Sequence, residues 1–269
     1  MRRRPKWTRL LGERSFGVPF QPRWYHSVAY ALVQAPTFLW MSLVLSILTA
    51  LCVTAWVSID PLANNTIAYQ VFGFSLFFLS YVLATTMTYF NSVLALAARG
   101  KAKVEPRIVA SAGHAGANCG VWIACFLTGP VVVFGAAIAY WMYCGELDFI
   151  DWTILAELAF AGLAWWLFAL LHTNASETYR VPFPNEVLRL AFAMRKAMLE
   201  LVVPASLVFA GHILLAAYSL GRLQDQPVLA ALLLSLFWGS GLYCTSFTLR
   251  QLGLAYCRMQ RETRASLTA

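Results

Sequence analysis

Little of this sequence is charged. Asp, Glu, Lys and Arg together make up 12% of its 269 residues, against about 25% in soluble domains, which excludes an ordinary water-soluble globule. Metal-binding residues are equally thin. The four histidines and six cysteines contain no C-x-x-C pair, and no His stands at ligand spacing from a Cys, so neither a zinc nor an iron–sulfur site is expected. H-E-x-x-H, a P-loop and the paired aspartates of lipid transferases are all missing. No catalytic residue, metal or cofactor is assigned, and the chain reads as non-enzymatic. The thiols Cys52, Cys119, Cys125, Cys144, Cys244 and Cys257 read as small side chains packed between helices. A Cys52–Cys144 disulfide is the alternative, since both fall toward the same outer face.

What fills the sequence instead is apolar. Hydrophobic residues account for 60% of the chain and mean hydropathy is +0.64, a composition that belongs to a polytopic integral membrane protein. One run organises the rest. Residues 68–98 carry no formal charge and stop at Arg99-Gly100-Lys101-Ala102-Lys103. As a helix that run is about 46 Å long, against a hydrocarbon core of roughly 30 Å. Further spans are predicted over 37–58, 117–143, 152–171, 199–220 and 227–249, with a kink at Gly129-Pro130 in the third.

Lys and Arg orient the spans. Seven precede span one, four lie between spans two and three, four between four and five, and four from Arg250 onward. That places nineteen on one side and only Arg222 on the other. Positive flanks stay in the cytoplasm. The expected fold is therefore all-α, with six transmembrane helices, both termini cytoplasmic, and interfacial amphipathic helices on the cytoplasmic side. Residues 1–36 form a basic leader with a short interfacial helix, 37–257 one membrane domain, and 258–269 a cytoplasmic tail. The net charge of +8 follows this placement, so its partners are the bilayer and its anionic headgroups rather than nucleic acid.

Two amphipathic stretches are legible. Trp24, Val28, Leu32 and Ala35 share a helical face that ends at Pro36. Before span five, Val187, Leu190, Ala191, Met194, Met198 and Leu201 share another, opposite Arg189, Arg195 and Lys196. Those three cations are expected on lipid headgroups, and Asn185 is expected to cap that helix.

Ionisable groups at membrane depth are the default functional candidates. Glu157 and His212 lie about 8 and 12 Å inside spans four and five, close enough to pair if those spans are neighbours. Asn91, Gln70 and Thr85-Thr86-Thr88 offer a polar path or, more commonly, hydrogen bonds between helices. On span three, Ala112, Gly116, Gly120, Ala124 and Thr128 recur every four residues, a small-residue ridge for close helix packing, and Ala231, Ser235 and Gly239 form a shorter one. Internal packing is the commoner use of such a ridge. Gly239-Ser240-Gly241 is similar to the G-x-S-G of rhomboid proteases with His212 as base. Trp238 replaces the leading glycine, the histidine precedes the serine, and counting residues puts Ser240 about 8 Å deeper than His212.

Phe77-Phe78-Leu79-Ser80-Tyr81, Ala97-Ala98-Arg99-Gly100 and the closing Leu249-Arg250-Gln251-Leu252-Gly253-Leu254-Ala255-Tyr256 together resemble uncharacterised bacterial multi-span families, domains of unknown function. The likeness covers about half the chain. It implies a bacterial inner-membrane address and no mechanism. The function expected is that of a scaffold, assembly factor or accessory subunit, with a membrane-protein partner or a second copy as companion. The alternative is a small-solute or ion transporter built on Glu157 and His212.

Overall fold

The computed structural model describes Leu32 and residues 34–59, 66–100, 112–144, 148–175 and 182–268, and all the regular structure among them is helical. All but Leu32 and residues 34–36 of the predicted leader, and the Lys101–Lys103 cluster, lie outside these residues; Ala35 and Pro36, where the leader's helix is expected to end, open the first described helix instead. In chain order the helices are α1 (Ala35–Val57), α2 (Thr66–Ala98), α3 (Ala112–Leu127), α4 (Pro130–Cys144), α5 (Phe149–Ala175), α6 (Pro184–Ala193), the short α7 (Arg195–Ala197), a π turn (Met198–Val202), α8 (Val203–Gly221) and α9 (Pro227–Thr268). Five helical stretches are long and apolar enough to cross a membrane, and α3 with α4 supplies a sixth if that pair is one crossing. The protein is a multi-pass membrane protein.

Local chemistry explains the breaks. Gly129-Pro130 bends the α3–α4 pair by 56°, because Pro130 lacks the donor that would continue α3. The bend is packed from one side: a Cβ at Gly129 would lie 2.7 Å from the Trp165 ring of α5. Pro204 likewise has no N–H to offer the Glu200 carbonyl, and the π turn just ahead of it absorbs the mismatch. At the end of α2, Gly100 takes φ +69° and its N–H bonds the Ala97 carbonyl at 2.9 Å, a left-handed helix stop. The cap of α6 differs from expectation. Pro184 occupies its first turn, so the helix starts before Asn185, and the Glu186 carboxylate accepts the Phe183 N–H at 2.8 Å.

The last helix also differs. The apolar stretch was read as ending near Leu249 with a tail from 258, yet α9 runs unbroken for 42 residues, about 63 Å at 1.5 Å per residue. Loss of hydropathy ends a membrane span, but it does not end a helix.

Packing is uneven along the bundle. The helices α1, α2 and α9 pack on one another, and α5 packs on α2 and α4. Many of the fully buried side chains lie toward the Ala98 end, among them Val93 and Leu94 of α2, Phe168 to Leu171 of α5, and Leu249, Arg250 and Leu252 of α9, while Ser75 of α2, Ser219 of α8 and Ala230 and Leu234 of α9 are buried as well. Toward the Thr66 end of α2, Ile67, Phe74 and Phe77 are two-thirds or more exposed. These side chains suit acyl chains as solvent.

Candidate functional site: the buried polar contacts

At the tight end, polar side chains are joined to one another. Asn91 of α2 is the centre. Its Nδ2 donates to Asn118 Oδ1 of α3 at 2.8 Å, and its Oδ1 accepts from the Trp122 indole at 2.8 Å and from Asn174 Nδ2 of α5 at 3.3 Å. Asn174 also donates to the Leu170 carbonyl at 2.8 Å. One amide thus ties three helices together. Beside it the Trp166 indole donates to the Trp122 carbonyl at 3.2 Å, and Cys125 and Thr173 meet at 3.5 Å. Rings of Phe90, Trp122, Trp166, Phe126 and Phe134 continue the cluster across four helices in tilted, T-shaped and stacked pairs, with centroids 5.4 to 6.2 Å apart. Of the path-or-glue alternatives for Asn91, the bonds place it as glue. Thr85, Thr86 and Thr88 donate to carbonyls of their own helix.

Arg250 is the largest fully buried side chain, 1% exposed. The sequence offered it only as one more cytoplasmic flanking cation. A helix wheel alone would have placed it on the same face as Ser246, which is also fully buried.

The Glu157–His212 pair is not formed. Glu157 is exposed on α5, and among the described residues no hydrogen bond joins it to His212. Instead His212 of α8 faces α9: its Nε2 lies 2.8 Å from Ser240 Oγ and its Nδ1 lies 2.7 Å from the Val208 carbonyl oxygen. Counting residues from the span ends placed His212 and Ser240 at different depths, because it assumed both spans start in one plane. The 2.8 Å contact puts the two side chains at one level instead. The serine is nonetheless poorly built for acyl transfer. Gly239, Ser240 and Gly241 lie inside the unbroken α9, so their backbone N–H groups are held in the helix and leave no oxyanion donors.

The small-residue positions divide. A Cβ at Gly239 would lie 3.6 Å from Ser42 of α1, ordinary packing distance. At Gly116 and Gly120 a Cβ would meet nothing within 4 Å, and both are exposed; Ala124, one turn on, is half-buried. Among the described residues no helix therefore covers the first part of that ridge, whereas internal packing is the commoner use of one. Arg189, Arg195 and Lys196 are exposed, while Val187, Leu190 and Met194 on the same segment are buried. Lys196 pairs with Glu200 at 3.9 Å, an exposed contact of little energetic weight. All six thiols are free, Cys52 and Cys144 included. Among the described residues no three His, Cys, Asp or Glu side chains converge as a metal site. A groove of 320 Å³ between α4 and α5 is apolar, lined by Phe134, Ala137, Ile138, Trp141, Trp152 and Leu155.

Comparison with known proteins found no matching family model, no matching curated protein and no matching solved structure.

Proposed function

We propose that this protein is a non-enzymatic scaffold, assembly factor or accessory subunit of a bacterial inner membrane, threaded six times with both termini in the cytoplasm. The observation that carries the reading is the open ridge at Gly116 and Gly120 of α3. Small residues let a second backbone approach closely in lipid, and here none of the described helices supplies one. The polar groups at depth support the same reading, because the Asn91 contacts are made between helices of the bundle. The companion helix belongs to a partner membrane protein or to a second copy.

Gly120→Ile tests this. The variant is expected to keep the parent's unfolding temperature, since a Cβ at this position meets nothing within 4 Å among the described residues. Its self-association or stoichiometric partner binding in nanodiscs should fall at least tenfold, while Gly120→Ala stays close to the parent. Association unchanged in the isoleucine variant would remove the proposal.

Topology has its own test. Impermeant labelling of single cysteines at position 101 and in the last ten residues should require the cytoplasmic face for both. Opposite accessibility would overturn the six-span threading while leaving the ridge untouched.

A further inference from the structure

The seam between α8 and α9 holds a hydrogen-bond chain whose atoms can be counted. Val208 O lies 2.7 Å from His212 Nδ1, His212 Nε2 lies 2.8 Å from Ser240 Oγ, and Ser240 Oγ lies 2.6 Å from Leu236 O, with Phe237 O more distant at 3.4 Å. Both terminal atoms are carbonyl oxygens and only accept. Three short contacts therefore need three hydrogens. A neutral histidine and a serine bring two between them, one N–H and one O–H. With Nδ1–H fixed on Val208 O, the serine hydrogen must choose between Nε2 and Leu236 O. An imidazolium brings the third hydrogen, and every contact is then made at once.

We infer that His212, Ser240 and the carbonyls of Val208 and Leu236 form a proton-binding site between α8 and α9. The ligand is a proton from the aqueous phase. It forms the Nε2–H bond, the new N–H donates to Ser240 Oγ, and the serine hydrogen turns from Nε2 to Leu236 O. No other group gains or loses a proton. The surroundings leave room for this. Even a Cβ at Gly241 would make only ordinary contact with His212 Cδ2, at 3.6 Å, and the Phe237 ring stands 5.8 Å from the imidazole with the planes tilted by 55°.

Charge in lipid is costly, so the other ionisable groups around the ring matter. On the elements packed against α8, α5 carries Asp151, Glu157 and His172, α9 carries Tyr243, Cys244 and the ionisable residues from Arg250 onward, and the π turn carries Glu200. None is hydrogen-bonded to His212 among the described residues, and Glu200 faces Lys196. The chain of carbonyls and hydroxyl is what holds the charged form. The site lies on a different seam from the α3 ridge and does not depend on it.

The test uses the full chain, labelled with ¹⁵N-histidine, in phosphatidylcholine nanodiscs, with the His212 signals identified by their loss in His212→Gln. Near pH 5, below the usual histidine range, both ring nitrogens of His212 are expected to carry hydrogen. In Ser240→Ala the ratio of doubly to singly protonated ring should fall roughly tenfold, the size of one charge-assisted hydrogen bond. Ser240→Thr, which keeps the hydroxyl, should restore it. A parent ring with a single N–H near pH 5 overturns the site, as does an alanine variant with the parent's doubly protonated share. If the alanine variant does not fold, the parent and threonine spectra still decide, because a single N–H in either contradicts the assignment.

Discussion

Gly253→Val is expected to prevent the bundle from closing. A Cβ at this position of α9 would lie 2.7 Å from Ala97 Cβ, 2.8 Å from the Leu94 carbonyl oxygen and 2.9 Å from the Ala98 nitrogen of α2. Two of those three are backbone atoms, which no rotamer change can move aside. Overpacking in a well-filled core costs about 1–3 kcal/mol, and a clash with a neighbouring helix backbone sits at or above the top of that range. The valine variant should lose roughly 3 kcal/mol or more in a denaturant titration in detergent micelles. Gly253→Ala should already lose part of it. The control is Gly211→Ala: a Cβ there meets nothing within 4 Å, and it should be neutral or gain up to about 1 kcal/mol from helix propensity. If valine at 253 unfolds no earlier than the parent, α2 and α9 are not in backbone contact.

Asn91→Leu should have the next largest effect. The substitution keeps the approximate volume and removes the shared partner of Asn118, Trp122 and Asn174. Interhelical hydrogen bonds in membranes average about 0.6 kcal/mol and reach about 1.7 kcal/mol. Three acting on one amide, with a buried indole N–H left without its acceptor, should amount to roughly 2–3 kcal/mol. The same titration measures it. Because the bonds share one side chain, Asn91→Leu combined with Asn118→Leu should cost less than the two single variants added together. Strict additivity would mean that Asn91 and Asn118 do not act on each other.

Much of the scaffold could be read from residue order. Runs without charge mark the long helices, because lipid excludes charge. The break at Gly129-Pro130 follows from a missing donor, and the buried face of α6 follows from the spacing of Val187, Leu190 and Met194. What resisted reading is lateral. Asn91 was visible as a polar residue at depth, but its partners stand 27 and 83 residues away, and sequence does not say which helices are neighbours. The same gap misdirected His212. Its distance from the span end was countable, but pairing it with Glu157 required α8 to face α5 there, and the histidine turns to α9. Of the three grounds against Ser240, the depth difference holds only if both spans begin level, while the missing glycine at Trp238 and the residue order stand. Arg250 shows a further limit: a cation beside a span looks alike whether it sits in water or is sealed in the bundle.

The exposed rings toward the Thr66 end of α2 have a mechanical consequence. There Ile67, Phe74 and Phe77 stand among acyl chains, whereas around Gly253 and Ala97 two helices meet backbone to side chain. Lateral pressure from the surrounding lipid acts directly on the first region and hardly at all on the second. Amide exchange should accordingly run fastest near Thr66 and slowest around Leu94, and a change of acyl-chain length should alter the first rate while leaving the second alone.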